Sequence, residues 1–164
     1  MKHPVEGQAP QDPATSKLPE TLLPVKVTEV MTRGVVTVHP DQTLAEAVSL
    51  IATHHFHHLV VTNTNDNAIG ILSDRDILRA VARSPDWPSY QISEAMTPNP
   101  ITVLAESPLF VAIAKMLSCK FNSLPVVGQN GTVIGILTST DILWAYEKMG
   151  ESMEAKRQRT ELQK

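Results

Sequence analysis

The chain has 164 residues, one cysteine and a formal charge of −3, with 14 Lys and Arg against 17 Asp and Glu. That length holds one domain of ordinary size, burying on the order of 70% of its unfolded surface, so no staple is required. A lone cysteine excludes an intramolecular disulfide, scattered basic residues exclude a nucleic-acid partner held by a basic stripe, and no apolar run approaches the ~20 residues that cross a bilayer.

Residues Met1 to Pro24 carry Pro4, Pro10, Pro13, Pro19 and Pro24 among polar residues, and lack the continuous apolar stretch of a secretory signal. They are expected to form a flexible leader with Leu18, Leu22 and Leu23 available for docking, and the protein is expected in the cytoplasm. Val35 to Val38 is a β-branched run ending at His39-Pro40-Asp41, and Thr43 to His54 then places Leu44, Ala47, Val48 and Ile51 at helical spacing. Leu59 to Val61 reads as a second strand, Asn63 to Asn67 as a tight turn, and Ala68 to Leu72 as a third strand completing a hairpin. Asp74 to Arg83 closes the unit as a helix with Ile77, Leu78 and Val81 facing inward.

A linker over residues 84–90 follows, broken by Pro85 and Pro88, with Trp87 to pin it to the surface. The same order then returns: Ile101 to Val103, a helix from Pro108 carrying Leu109, Ala112, Ile113 and Met116, strands at Leu124 to Val127 and Val133 to Leu137, and a helix from about Thr140. Pro108 suits a first helical turn, and Cys119 reads as packing. The last helix is expected to run through Tyr146, Met149 and Met153 into a charged, solvated tail over residues 150–164.

The return is a duplication without a gap. Val27 to Val81 lies over Ile92 to Tyr146, with Met31 to Met96 and Asp76 to Asp141 both 65 positions apart. Ile69-Gly70-Ile71-Leu72 repeats as Ile134-Gly135-Ile136-Leu137, and Asp76-Ile77-Leu78 as Asp141-Ile142-Leu143. Two copies, over residues 25–83 and 91–149, predict one pseudosymmetric α/β module rather than a solenoid.

In each copy the third strand runs into Gly, two apolar residues, a hydroxyl, two variable residues and Asp: Gly70 to Asp76 and Gly135 to Asp141. This brings a hydroxyl and a carboxylate to a helix mouth, where free N–H groups and the helix dipole favour an anion and the acid can hold sugar hydroxyls. Ser73 with Asp76, and Thr138 with Asp141, also fit a helix cap with an acid at the third helical position. Both copies keep hydroxyl and acid while the residues between change from Asp74-Arg75 to Ser139-Thr140, which favours a ligand.

Val30-Met31-Thr32 and Ala95-Met96-Thr97, Leu124-Pro125-Val126-Val127 and the two Gly-x-x-Ser/Thr-x-x-Asp turns together resemble tandem CBS domains, the cystathionine beta-synthase type, paired as a Bateman module. The resemblance covers about Val27 to Met149. It implies two βαββα repeats packed through their sheets about a pseudo-twofold axis, two composite clefts that take AMP, ADP, ATP or another adenosyl ligand, and association into dimers. By the same resemblance Ser73 and Thr138 lie near phosphate, Asp76 and Asp141 hold ribose, and Phe56 or Phe121 lies against adenine.

In the kinase gamma regulatory subunits of this family, a His-Arg pair that touches phosphate stands where His57 and His58 precede Leu59 here. Arg75 adds a permanent fork, whereas Asn122, Ser123 and Thr140 occupy the matching positions of repeat 2. Unequal affinities follow, with the Ser73, Asp76 and Arg75 side the better phosphate site and His57 or His58 strengthening binding as pH falls. His54 and His58 are four apart, but the helix must end before Leu59 and no Cys, Asp or Glu stands beside them, so no metal site is read.

The function these residues point to is a regulatory module that binds an adenine nucleotide without catalysis, with no obligatory cofactor, reporting to an unidentified effector or through a homodimer. A structural dimerisation module with vestigial clefts is the alternative. A small nucleotide hydrolase is disfavoured, because no pair of acid–base groups or cluster of carboxylates is evident.

Overall fold

The computed structural model describes residues 25–161. The leader over residues 1–24, with Leu18, Leu22 and Leu23, and the last three residues of the tail lie outside the described residues.

Helix α1 (Val27–Val30) leads into β1 (Thr32–Arg33) and β2 (Thr37–Val38), followed by α2 (Leu44–His54), β3 (His58–Thr62), β4 (Ala68–Ser73) and α3 (Asp74–Arg83). After one 3-10 turn (Trp87–Ser89), α4 (Ile92–Ala95), β5 (Thr97–Pro98), β6 (Val103–Leu104), α5 (Leu109–Cys119), β7 (Ser123–Val127), β8 (Val133–Thr138) and α6 (Ser139–Glu161) repeat the order.

Local chemistry sets the boundaries. Thr43 and Glu46 form a reciprocal capping box at the start of α2, Glu46 N–H donating to Thr43 Oγ1 at 3.3 Å and Thr43 N–H to Glu46 Oε2 at 2.7 Å. α2 and α5 both end on a left-handed residue, His55 at φ 56° and Lys120 at φ 55°, which turns the chain sharply into the following strand.

The two four-stranded sheets exchange their edges. One runs β2-β3-β4-β5 and the other β1-β8-β7-β6, so each repeat lends its opening strand to the other repeat's sheet. Thr32 stands opposite Ile136 and Arg33 opposite Gly135, while Thr97 stands opposite Ile71 and Pro98 opposite Gly70. The opening turns travel with the strands. Val27 and Met31 pack with Leu109, Ala112, Leu124 and Leu137, whereas Ile92 packs with Leu44, Leu59 and Leu72. Backbone bonds repeat the exchange symmetrically: Val27 N–H to Ser107 O and Thr28 N–H to Ala105 O on one side, Ile92 N–H to Gln42 O and Ser93 N–H to Pro40 O on the other.

Gly135 is required by this crossing, since a Cβ there would lie 2.6 Å from the Thr32 carbonyl oxygen and 2.9 Å from Met31 Sδ. At the opposite end the hairpin tips meet, Val133 N–H donating to Asp66 O at 2.9 Å.

The exchange shortens the strands expected at Val35 to Val38 and Ile101 to Val103. Val35, Val36, Ile101 and Thr102 fall between sheets, so only Thr37–Val38 and Val103–Leu104 pair. It also adds α1, β1, α4 and β5 to the βαββα order. The inward face expected of α3 is corrected: Ile77 and Ala80 are buried, while Leu78 is 67% and Val81 43% exposed. The sheet contacts the stripe spaced three apart, and Leu78 lies about 100° round the helix from Ile77. Cys119 is exposed at the C-terminal end of α5 rather than packed, and Pro108 takes the cap position, one residue before the first helical turn. Trp87 and Tyr90 do pack the linker against the repeat 1 core. α6 continues to Glu161, with every residue over 150–161 exposed. No helix among the described residues is long and apolar enough to cross a membrane.

Candidate functional site

Hairpin register delivers each motif beside the strand start. His58 stands opposite Ser73 and Ser123 opposite Thr138, with Asp74 N–H donating to His57 O and Ser139 N–H to Asn122 O. The two hydroxyl–acid turns form the same closed cap. Asp76 Oδ2 accepts from Ser73 N–H at 2.9 Å and from its hydroxyl at 2.6 Å, while Asp76 N–H donates to Ser73 Oγ at 3.3 Å. Asp141 Oδ2 accepts from Thr138 N–H at 2.7 Å and hydroxyl at 2.6 Å, with Asp141 N–H to Thr138 Oγ1 at 3.2 Å.

The second oxygens are also engaged, and differently. Arg79 Nη1 donates to Asp76 Oδ1 at 2.9 Å, whereas Thr32 Oγ1, arriving on the exchanged strand, donates to Asp141 Oδ1 at 2.9 Å. A carboxylate offers about four acceptor positions. Three are filled in each case, so each acid can take one further hydroxyl without rearrangement. Ser73 and Thr138 already donate their only O–H to their own acid. They cannot also donate to phosphate unless the cap opens.

Both turns face one continuous space of about 920 Å³. Repeat 1 contributes Phe56, His57, His58, Ser73, Arg75 and Asp76 to its wall. Repeat 2 contributes Phe121, Asn122, Ser123, Thr138 and Asp141. The crossing segments join in through Thr32, Gly34 and Val35 from one repeat and Thr97, Asn99 and Ile101 from the other, so the wall is composite.

Among the wall residues that the sequence reading did not choose are Thr32, Arg79, Lys120 and Trp144. The 65-residue offset carried a signal for three of them. It places Lys120 against His55 and Trp144 against Arg79, which marks them as paired positions beside residues already chosen. Lys120 also means that repeat 2 keeps a basic side chain at the cleft.

The repeat 1 side carries charges of both signs, Arg75 and Arg79 beside Asp74 and Asp76. Burial pushes the His58 imidazole below its usual value, with His57 and Arg75 acting in the same direction and Asp74 and Asp76 opposing. His57 is exposed, its Nδ1 3.2 Å from Asp74 Oδ2. The left-handed turn at His55 takes His58 off the α2 face that carries His54, which stacks on Phe56 with ring centres 5.2 Å apart. Among the described residues no group of three or more His, Cys, Asp or Glu side chains is placed to hold a metal ion.

Two strand-exchanged α/β repeats presenting paired hydroxyl–acid turns to a shared cleft define a duplicated small-molecule-binding module. Residues 27–83 and 92–148 each match the CBS domain, and the chain belongs to that family. It is 31% identical over 130 residues to a CBS domain-containing protein of Dictyostelium discoideum, covering 73% of this chain and 89% of that one. It is 37% identical over 120 residues to a CBS domain-containing protein of Arabidopsis thaliana, covering 72% of this chain and 22% of the other. The homoserine O-acetyltransferase of Methanococcus vannielii matches at 29% over 116 residues, of which the chain covers 24%. The chain thus spans about a quarter of the length of these last two relatives.

Among solved structures, CBSX2 in complex with AMP superposes with a TM-score of 0.69 at 28% identity, covering 76% of this chain and 98% of that one. The CBS domain pair of protein MJ0100, in complex with 5′-methylthioadenosine and S-adenosyl-L-methionine, superposes with a TM-score of 0.69 at 27% identity, with the same coverage.

Proposed function

We propose that this chain is a regulatory module that binds an adenine nucleotide, AMP, ADP or ATP, or a related adenosyl ligand, in the cleft between its repeats. The observation that carries the reading is the convergence of both hydroxyl–acid turns, two phenylalanines and the Arg75 fork on one cavity of about 920 Å³. That volume suits a drug-sized or larger ligand. Asp76 and Asp141 accept sugar hydroxyls, Phe56 and Phe121 lie against adenine, and Arg75 with His57 and His58 takes phosphate, with Asn122 and Ser123 as the neutral counterparts in repeat 2. AMP and S-adenosyl-L-methionine in the related structures support an adenosyl ligand.

The module performs no catalysis of its own and needs no obligatory cofactor. The exposed Cys119 thiol suits a reducing, cytoplasmic setting. Leu78 and Leu143, equivalent in the two repeats and each 67% exposed, lie on the homodimer surface, and ligand-dependent cleft geometry passes through that surface or to an effector protein. Thermal unfolding with and without AMP, ATP and S-adenosyl-L-methionine tests the reading. A ligand at ~100 times its dissociation constant adds roughly 2.7 kcal/mol, and D76N,D141N removes the shift.

The caps favour a second reading, a dimerisation module with vestigial clefts, since one oxygen of each acid is taken up in bracing the start of its own helix. A dimer in sedimentation with no shift from any adenosyl ligand would select it. Turnover of ATP to ADP or AMP would overturn both.

A further inference from the structure

We infer that Trp144 adds a base-stacking face beside Phe121 in the repeat 2 half of the cleft, and that this half takes a purine nucleoside for which phosphate is dispensable. The inference rests on the adenosyl-binding reading and specifies which part of the ligand each half reads.

The observation is an exchange at equivalent positions. Arg79 in α3 and Trp144 in α6 stand 65 residues apart, three residues beyond their acids, and both line the cleft. In repeat 1 the guanidinium holds Asp76 Oδ1 at 2.9 Å. In repeat 2 an indole occupies the position and Asp141 Oδ1 takes the neutral Thr32 hydroxyl instead.

Two consequences follow. Both bonds are charge-assisted through the carboxylate, but only Arg79 brings a positive charge of its own, so the charge of Asp76 is paired at 2.9 Å while Thr32 leaves that of Asp141 available to a ribose hydroxyl. Asp141 is therefore the freer sugar acceptor. Trp144, 61% exposed at the cleft, also presents a large aromatic face with no bonding partner among the described residues. Stacking a base on an aromatic side chain tightens binding by roughly tenfold or more.

Fixed charge does not separate the halves, because Arg75 and Arg79 are balanced by Asp74 and Asp76 as Lys120 is by Asp141. What separates them is chemistry: cationic forks and imidazoles beside Phe56 on one side, Phe121 and the Trp144 indole with a single flexible ammonium on the other. The first matches phosphate, the second a base and its sugar.

The test is tryptophan emission in a W87F background, which leaves Trp144 as the only fluorophore of its kind, titrated with adenosine, AMP and ATP alongside calorimetry. Adenosine should quench Trp144 with an affinity within about tenfold of AMP. W144A should weaken adenosine by roughly tenfold or more, the scale of one stacked base, while W144F retains most of the binding. W144R should make binding depend on phosphate. Calorimetric AMP binding with unchanged Trp144 emission would overturn the inference and leave the adenosyl reading intact. Emission that shifts with protein concentration and ignores nucleoside would assign Trp144 to a subunit contact and overturn it too. No heat with any of the three compounds, in wild type and W87F alike, would remove the underlying reading.

Discussion

Thr32 Oγ1 donates a hydrogen bond to Asp141 Oδ1 at 2.9 Å, tying the first exchanged strand to the acid of the second repeat across 109 residues. Asp141 is only 7% exposed, so its oxygen has little water to fall back on. T32V should destabilise the protein by about 1–2 kcal/mol, the cost of stranding a buried acceptor. T97V should cost less, because Arg79 rather than Thr97 serves Asp76. Urea unfolding of the two variants checks the difference, and equal losses would contradict it.

Substitutions at Gly70 and Gly135 should separate in the same way. A Cβ at Gly135 meets the Thr32 backbone oxygen at 2.6 Å, whereas at Gly70 the nearest atom is the Met96 thioether, which can swing aside. G135A should cost about 1–3 kcal/mol, the range for overpacking, and G70A less. Midpoints of thermal unfolding give the ranking.

Removing a cap hydroxyl should reduce stability even without ligand. S73A and T138A each delete an acceptor for a helix N–H and a donor to the acid, for a loss of about 1 kcal/mol. Binding measured on these variants should therefore be compared at equal folded fraction. A variant with wild-type stability but no binding would show that the hydroxyl acts on the ligand alone.

His58 gives the folded protein a pH dependence with a definite sign. Its folded-state pKa lies below the unfolded value of ~6.5 because burial disfavours the imidazolium. The unfolded chain therefore binds more protons in that window. The stability contribution is complete above about pH 6.5 and declines as pH falls through the folded-state pKa. Unfolding free energy of the wild type should drop between about pH 6.5 and 5, more steeply than in H58N. Phosphate bound nearby would favour the imidazolium, so AMP affinity should rise over the same interval. An affinity flat with pH would remove His57 and His58 from phosphate binding.

The duplication, the strand–helix order and the two hydroxyl–acid turns were legible in the amino-acid sequence because each is written in short-range pattern: helical spacing in Leu44 and Ala47, hairpin punctuation over Asn63 to Asn67, a cap four residues long from Ser73 to Asp76. The internal repeat doubled every such signal. Only the folded chain decided that residues 27–33 and 92–98 change partners, since two-residue strands such as Thr32–Arg33 carry no periodicity and pair by long-range contact. The same crossing brought Thr32 to Asp141, and the end of α5 and the start of α6 set Lys120 and Trp144 on the cavity wall. Which face of α3 was buried also waited for the sheet: Ile77, Leu78 and Val81 are equally apolar, and only packing distinguishes the stripe that touches β-structure from the one left to solvent or a partner.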